Sequence, residues 1–207
     1  MIIKCIPLRY TAVLPWTPMP ARCRSGIRER EKWLTVSVKK ASRETSINQI
    51  QLSESAEWKK SNLNLIQHNY RQSPYFTEIY PHLEKLYAYE GTLLYEFNLH
   101  SIRMLMKLFD IEVAEVFAST LNADGKKNVL LVDILKKVGA TTYLSGVGAK
   151  AYSEPELYER AGIEVVWQGF VHPVYPQLNG PFIPYLSSID VLFNCGIEES
   201  RKILRSS

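Results

Sequence analysis

The stretch HPVYPQLNGPFIPYLSSIDVLFNCG, from His172 to Gly196, places a histidine, two tyrosines, four prolines and an aspartate ahead of an apolar run with helical spacing. An imidazole titrates near neutral pH, so His172 can act as a general base. A loop histidine bonded to backbone is the competing reading. Asp190, three residues after Ser187, can orient that imidazole or a substrate amine, against the alternative of balancing a helix N-terminus. Tyr175 and Gln177 can hydrogen-bond ligand hydroxyls while the phenol ring offers an apolar face, with simple packing as the alternative for Tyr175. Asn194, in the same run, is a further candidate ligand contact. The prolines fix φ and remove backbone donors, so the segment before Ser187 is neither an ordinary helix nor a central strand. A rigid loop carrying polar side chains is expected, and such loops on a scaffold commonly carry function.

A second constellation is SGVGAK. Ser145, Gly146, Gly148 and Lys150 fall between a strand pattern and a helix pattern, where backbone N–H groups and a cation can hold phosphate. It is neither a Walker loop nor GxGxxG, and a tight turn using glycine's freedom at positive φ is the competing reading. Asn69 and Tyr70, in QHNYRQSPYF, are candidates to line the same cleft, although a helix C-terminus before Pro74 also accounts for Asn69. His68, His82 and His100 have no partners at ligand spacing, so no metal site is expected. Cys195 precedes Gly196 at a helix end, where the dipole raises a thiol's pKa and argues against a nucleophile. No pattern identifies a cofactor.

These residues need elements to position them. Residues 1–25 show no period of 2 or 3.6, and their proline-rich composition predicts an irregular arm; residues 26–207 are expected to form one domain. KWLTVSV alternates as a half-buried strand, and INQIQL is expected as a second strand. Ser55 is the expected N-cap of a helix with Leu63, Ile66 and Tyr70 on one face, stopped by Pro74. Pro81 is expected to open a new turn within the next helical pattern. LYEFNLHSIRMLMKLFD gives a third helix, so the middle of the chain is helical. NVLLVDILKKVG then reads as a helix ended by Gly139 and TTYLSG as a strand. The capping box Ser153/Glu156 opens another helix, ended by Gly162, before the strand IEVVW. This succession predicts an α/β fold, a Rossmann-like mixed or parallel sheet with flanking helices, with ligand at the carboxyl ends of its strands.

The chain has 207 residues, 46% hydrophobic and 22% charged, enough for a substantial core. A net charge of +4 is spread without a dense basic stripe, which argues against nucleic acid as main partner, an aminoacyl-tRNA donor excepted. Cys5, Cys23 and Cys195 form no CxxC pair, which fits a reducing cytoplasm, and no apolar run approaches a membrane span.

The blocks KWLTVSV, LIQHNYRQSPYF, GATTYLSGVGAKAY, HPVYPQLNGPF and LSSIDVLFNCG, in this order over residues 27–200, resemble the WbqC-like family of bacterial proteins. Near the N terminus only VLPW, Val13 to Trp16, resembles the family's turn, so an atypical or truncated start is expected, with residues 1–25 departing from family sequence. The resemblance implies a role in O-antigen, lipopolysaccharide or capsule synthesis, with N-acyl or aminoacyl transfer, glycyl for example, to a nucleotide-linked amino sugar. On that reading His172 is the base, Asp190 its orienter, Tyr175 and Gln177 the sugar contacts, and SGVGAK the phosphate site. Two alternatives stand beside it: a non-catalytic protein that binds a sugar nucleotide or organises a complex, and a nucleotidyltransferase-like enzyme.

Overall fold

The computed structural model describes the backbone of Ile2–Lys4, Tyr10–Val13 and Ala21–Arg24, and residues 31–206 apart from 43 and 179, with side chains from Trp33 onward. Along the chain run strands β1 (Ile2–Lys4), β2 (Tyr10–Val13), β3 (Ala21–Arg24) and β4 (Glu31–Leu34). Helices α1 (Glu57–Tyr70), α2 (Phe76–Tyr87) and α3 (Leu94–Leu108) follow. Then come β5 (Ala114–Val116), α4 (Lys127–Lys137), β6 (Thr142–Gly146), α5 (Pro155–Arg160), β7 (Glu164–Gln168) and α6 (Ser188–Arg205). The chain divides into two compact units, one of Met1–Thr17 with Glu112–Val171, the other of Pro18–Ile111 with His172–Ser207.

The first unit carries a five-stranded mixed sheet in the order β5-β1-β2-β6-β7. Strand β6 runs parallel to β2 and β7, with Ser145 opposite Trp167 and Gly146 opposite Gln168, whereas β1 is antiparallel to both β2 and β5. The α/β class is as the sequence implies, and the parallel run is the three strands β2-β6-β7. Helices α4 and α5 end as the pattern requires. Gly139 (φ 65°) and Gly162 (φ 68°) take left-handed backbone, and the next amide reaches back five residues, Ala140 N to Leu135 O and Ile163 N to Tyr158 O, each 2.9 Å. Val132, Leu135, Tyr143, Tyr158 and Ile163 form the core of this unit. The Ser153/Glu156 capping box does not form. Pro155 opens α5, and Glu154 stands at the cap with no side-chain bond to the helix.

In the second unit β3 and β4 pair antiparallel, and α1 to α3 fill residues 57–108, the helical middle that the periodicity predicts. Trp58, Asn62, Ile66, Asn69 and Tyr70 bury one face of α1. The Asn62 amide anchors that face by donating to the Thr35 carbonyl at 3.0 Å. Helix α2 runs through Pro81 rather than restarting there, giving up the bond to the Thr77 carbonyl while Ile79, Leu83 and Tyr87 stay buried. Trp58, Tyr87 and Phe97 pack edge to face and tilted, with ring centroids 5.3–6.0 Å apart. Two short-range expectations fail. INQIQL forms a 3-10 helix over Ile47–Gln49, leaving only Gln51 and Leu52 in bridges to Leu93 and Val38. The strand in KWLTVSV ends at Leu34, and Val38 is exposed. Residues 1–25, read as an irregular arm, contain β1, β2 and β3.

Candidate functional site

Asp190 lies in the first turn of α6, 3% exposed, and its carboxylate is held by three donors. The Tyr70 hydroxyl donates to Oδ1 at 2.8 Å, the Tyr175 hydroxyl to Oδ2 at 2.9 Å, and the Gln177 amide to Oδ2 at 3.0 Å. The carboxylate stands where the helix N-terminus favours negative charge, while capping falls to Ser187, whose side chain accepts from Ile189 N at 3.5 Å. Asp190 therefore ties α1, the proline loop and α6 together, all within the second unit. Balancing the helix N-terminus, the competing reading, fits its place in the first turn, and the three donors go beyond that reading.

The loop is fastened by Gln177 as well. Its amide nitrogen donates to Ile183 O at 3.0 Å and its oxygen accepts from Ile183 N at 2.8 Å, so Gln177 and Ile183 are clamped to each other. Tyr175 is buried, and that burial, reinforced by the Asp190 charge, pushes its phenol far above the ordinary tyrosine value. The hydroxyl of Tyr175 and the amide of Gln177, expected as ligand contacts, are engaged inside the protein. Asn194, the fifth candidate here, donates to the Asp190 carbonyl at 2.8 Å.

His172 is half-buried on the same loop, its Nδ1 2.9 Å from the Pro173 carbonyl. A carbonyl oxygen only accepts, so Nδ1 carries the proton and Nε2 is the basic nitrogen of the neutral ring. Aromatic rings surround it, with centroids at 5.1 Å for Tyr185, 5.8 Å for Phe182 and 6.2 Å for Tyr175. Tyr70 stacks on Phe193 at 4.4 Å, which sets the angle of its hydroxyl. Asn69, one residue earlier, is 5% exposed; its nitrogen donates to Leu65 O at 2.6 Å, while its Oδ1 is buried without a hydrogen-bond partner. The expectations missed Phe182, Ile183, Tyr185 and Phe193. Their signal was the aromatic spacing within the proline loop and the position of Phe193 three residues beyond Asp190 on the helix.

Ser145, Gly146, Gly148 and Lys150 belong to the first unit, at the carboxyl end of β6 and in the 3-10 helix Val147–Tyr152 that follows. Neither glycine has positive φ, and a Cβ at either would meet nothing within 4 Å. The tight-turn explanation therefore does not apply, since an alanine fits both places. Ser145 is buried, and the Lys150 ammonium stands 5.5 Å from the Trp167 ring centroid. Elsewhere in this unit a groove of about 430 Å³ runs between α4 and α5 and contains none of the expected site residues. Its Asp133 is occupied by Asp124 N and the Lys137 ammonium. Cys195 is buried, and burial, with Glu199 and Asp190 adding to it, pushes its thiol up, which makes it a poor nucleophile.

Among the described residues no group of three or more His, Cys, Asp or Glu could hold a metal ion, and no helix is long and apolar enough to cross a membrane. The model of the WbqC-like protein family matches residues 19–202, starting upstream of the first resembling block. The chain is similar to the uncharacterized protein Rv1507c of Mycobacterium tuberculosis (strain ATCC 25618 / H37Rv). The two are 29% identical over 171 residues, which cover 81% of this chain and 73% of that protein. No solved structure matches.

Proposed function

This chain belongs to the WbqC-like protein family, and from that premise we propose that it transfers an acyl or aminoacyl group, glycyl for example, to the amine of a nucleotide-linked amino sugar in surface-polysaccharide synthesis in the cytoplasm. The observation that carries the reading is the 2.9 Å approach of His172 Nδ1 to the Pro173 carbonyl, which assigns the proton of the neutral ring to Nδ1 and the basic lone pair to Nε2. As the amine nitrogen bonds to the acyl carbon and the bond from that carbon to the donor's leaving group breaks, Nε2 takes the proton the nitrogen sheds and returns it to the leaving group. Asp190 acts by holding Tyr175 and Gln177, and with them the loop, in one conformation, which lowers the ordering needed when ligand arrives.

We read the β2-β6-β7 run of the first unit, taken by itself, as working in the manner of a Rossmann-like sheet, with Ser145, Gly146, Gly148 and Lys150 holding phosphate. The two glycines support this. Glycine is demanded there by neither backbone nor neighbours, and close approach of a ligand to the main chain accounts for it.

The test supplies UDP- and dTDP-linked amino sugars with glycyl-tRNA, acyl thioesters, or glycine and ATP, and looks for the mass gain of an amide. His172→Gln should lower turnover by about a hundredfold or more while calorimetric binding of the sugar nucleotide persists. A second reading, a non-catalytic sugar-nucleotide binding protein, is favoured by the engagement of both Asp190 oxygens in structural bonds. Binding without product from any of these donors decides for it.

A further inference from the structure

Tyr185 combines three properties that rarely coincide in a loop residue. Its φ is 60°, in the left-handed region that a bulky side chain enters only when the surroundings hold it there. The residue is 70% exposed, so burial does not compensate for that conformation. The ring also stands 5.1 Å, centroid to centroid, from His172 at an interplanar angle of 70°. What holds it is visible on both sides. Gln177 clamps Ile183 through two hydrogen bonds, and Leu186 is buried immediately before the Ser187 cap of α6. The chain from 183 to 187 is fixed at both ends, and the residue between them presents an aromatic face outward.

We propose that Tyr185 is the platform on which the pyranose ring of the ligand stacks, which places a ring substituent within reach of His172. This rests on the amino-sugar reading above and goes beyond it by assigning the sugar-ring subsite to a residue outside the polar network. A pyranose has one face of C–H bonds with slight positive charge, and the negative face of a phenol ring complements it. The hydroxyls then point sideways to polar groups. Tyr175 and Gln177 cannot serve as this platform, because Tyr175 is buried and both direct their donors to Asp190. Phe182, set between His172 and Tyr175 at 5.8 and 5.3 Å, backs the imidazole instead.

The test uses methyl glycosides of 2-amino-, 3-amino- and 4-amino-hexopyranoses, with UMP as the nucleotide alone, and reads saturation transfer from protein to each ligand proton. At least one glycoside should receive saturation on the protons of one ring face. Tyr185→Ala should reduce that signal at least fivefold, while Tyr185→Phe and Tyr185→Trp keep it. Tyr185→Gly supplies the control for folding. Glycine accepts φ 60° without strain, so this variant should melt at the same temperature as the parent or a few degrees higher and still lose the signal. Undiminished saturation in Tyr185→Ala overturns the platform and leaves the amino-sugar reading standing. Saturation of UMP lost in Tyr185→Ala, without any glycoside signal, overturns it in favour of base stacking, and no saturation of any probe by the parent overturns the platform and the amino-sugar reading together.

Discussion

Asp190 accepts from two phenols and an amide in a site closed to water, so its replacement by asparagine turns an acceptor into a group that carries N–H against donors. Asp190→Asn should lose about 2–3 kcal/mol in urea unfolding, and Tyr175→Phe about 1 kcal/mol. Equal, small losses in both would show that the carboxylate is not the centre of the network. Tyr175 also sets an alkaline limit. Its folded pKa lies above the unfolded value near 10 because burial, and then the Asp190 charge, oppose the phenolate. Stability from this group is complete below pH 10 and falls as the pH rises from 10 through the raised value. Tyr175→Phe should flatten that part of the stability profile, and a profile of unchanged slope counts against the assignment. At Gly148 alanine should leave the melting temperature unchanged or raise it, yet weaken UDP binding about tenfold if the main chain meets phosphate. Residue types alone pointed to Asp190, Tyr175 and Gln177, because few residues other than these in the loop can exchange protons or hydrogen bonds. That they bind one another rather than a ligand was not legible. Pairing of Tyr70 with Asp190 across 120 residues is decided by packing, which spacing does not record.

Helix α6 is interrupted at Gly196, where φ 76° and ψ 172° suit glycine alone, and a Cβ would stand 2.6 Å from the Tyr75 ring. Gly196→Ala should cost about 2–4 kcal/mol, the sum of backbone strain and overpacking. Adding Tyr75→Ala should return part of the packing loss but none of the backbone loss, so a double-mutant cycle gives a non-zero coupling. Strict additivity would place the strain elsewhere. The helices were the legible elements. Those with a sustained period of three and four, α1, α3 and α4, stand close to where their apolar residues put them, because one buried stripe fixes a helix. Short segments were not, since INQIQL carries too few residues for period 2 to be distinguished from a tight turn. The Ser153/Glu156 pattern was overruled by Pro155, which opens the first turn of α5 and leaves Glu154 at the cap.

The two compact units differ in what they bury. Eighteen buried residues, from Leu34 to Cys195, make the core of the second unit, and five make that of the first, among the described residues. Since a larger apolar core resists local opening more strongly, amides of α1, α2 and the first half of α6 should exchange with solvent slower than those of α4 and α5 by at least tenfold under native conditions. Equal protection would mean that the chain opens as one cooperative body. The succession of helix and strand from residue 127 to 168 made the α/β class and the parallel pairing of β6 with β7 legible. The antiparallel insertion of β1 was not, because three residues in a proline-rich segment hold no period. Nor does the sequence announce that residues 112–171 stand as a unit between two stretches of the other.

That interleaving acts on the ribosome before it acts in the folded protein. Tyr70 leaves the synthesis site 120 residues ahead of Asp190, and at roughly 5–20 residues per second its hydroxyl waits about 6–24 s for the carboxylate it will hold. Once α3 has been made, the apolar faces of α1, α2 and α3 are complete but lack α6 while the whole 112–171 segment is being made. Most of the second unit is thus made before residues 112–171 of the first yet completed last, and a chaperone that shields nascent apolar surface would meet this chain in that window.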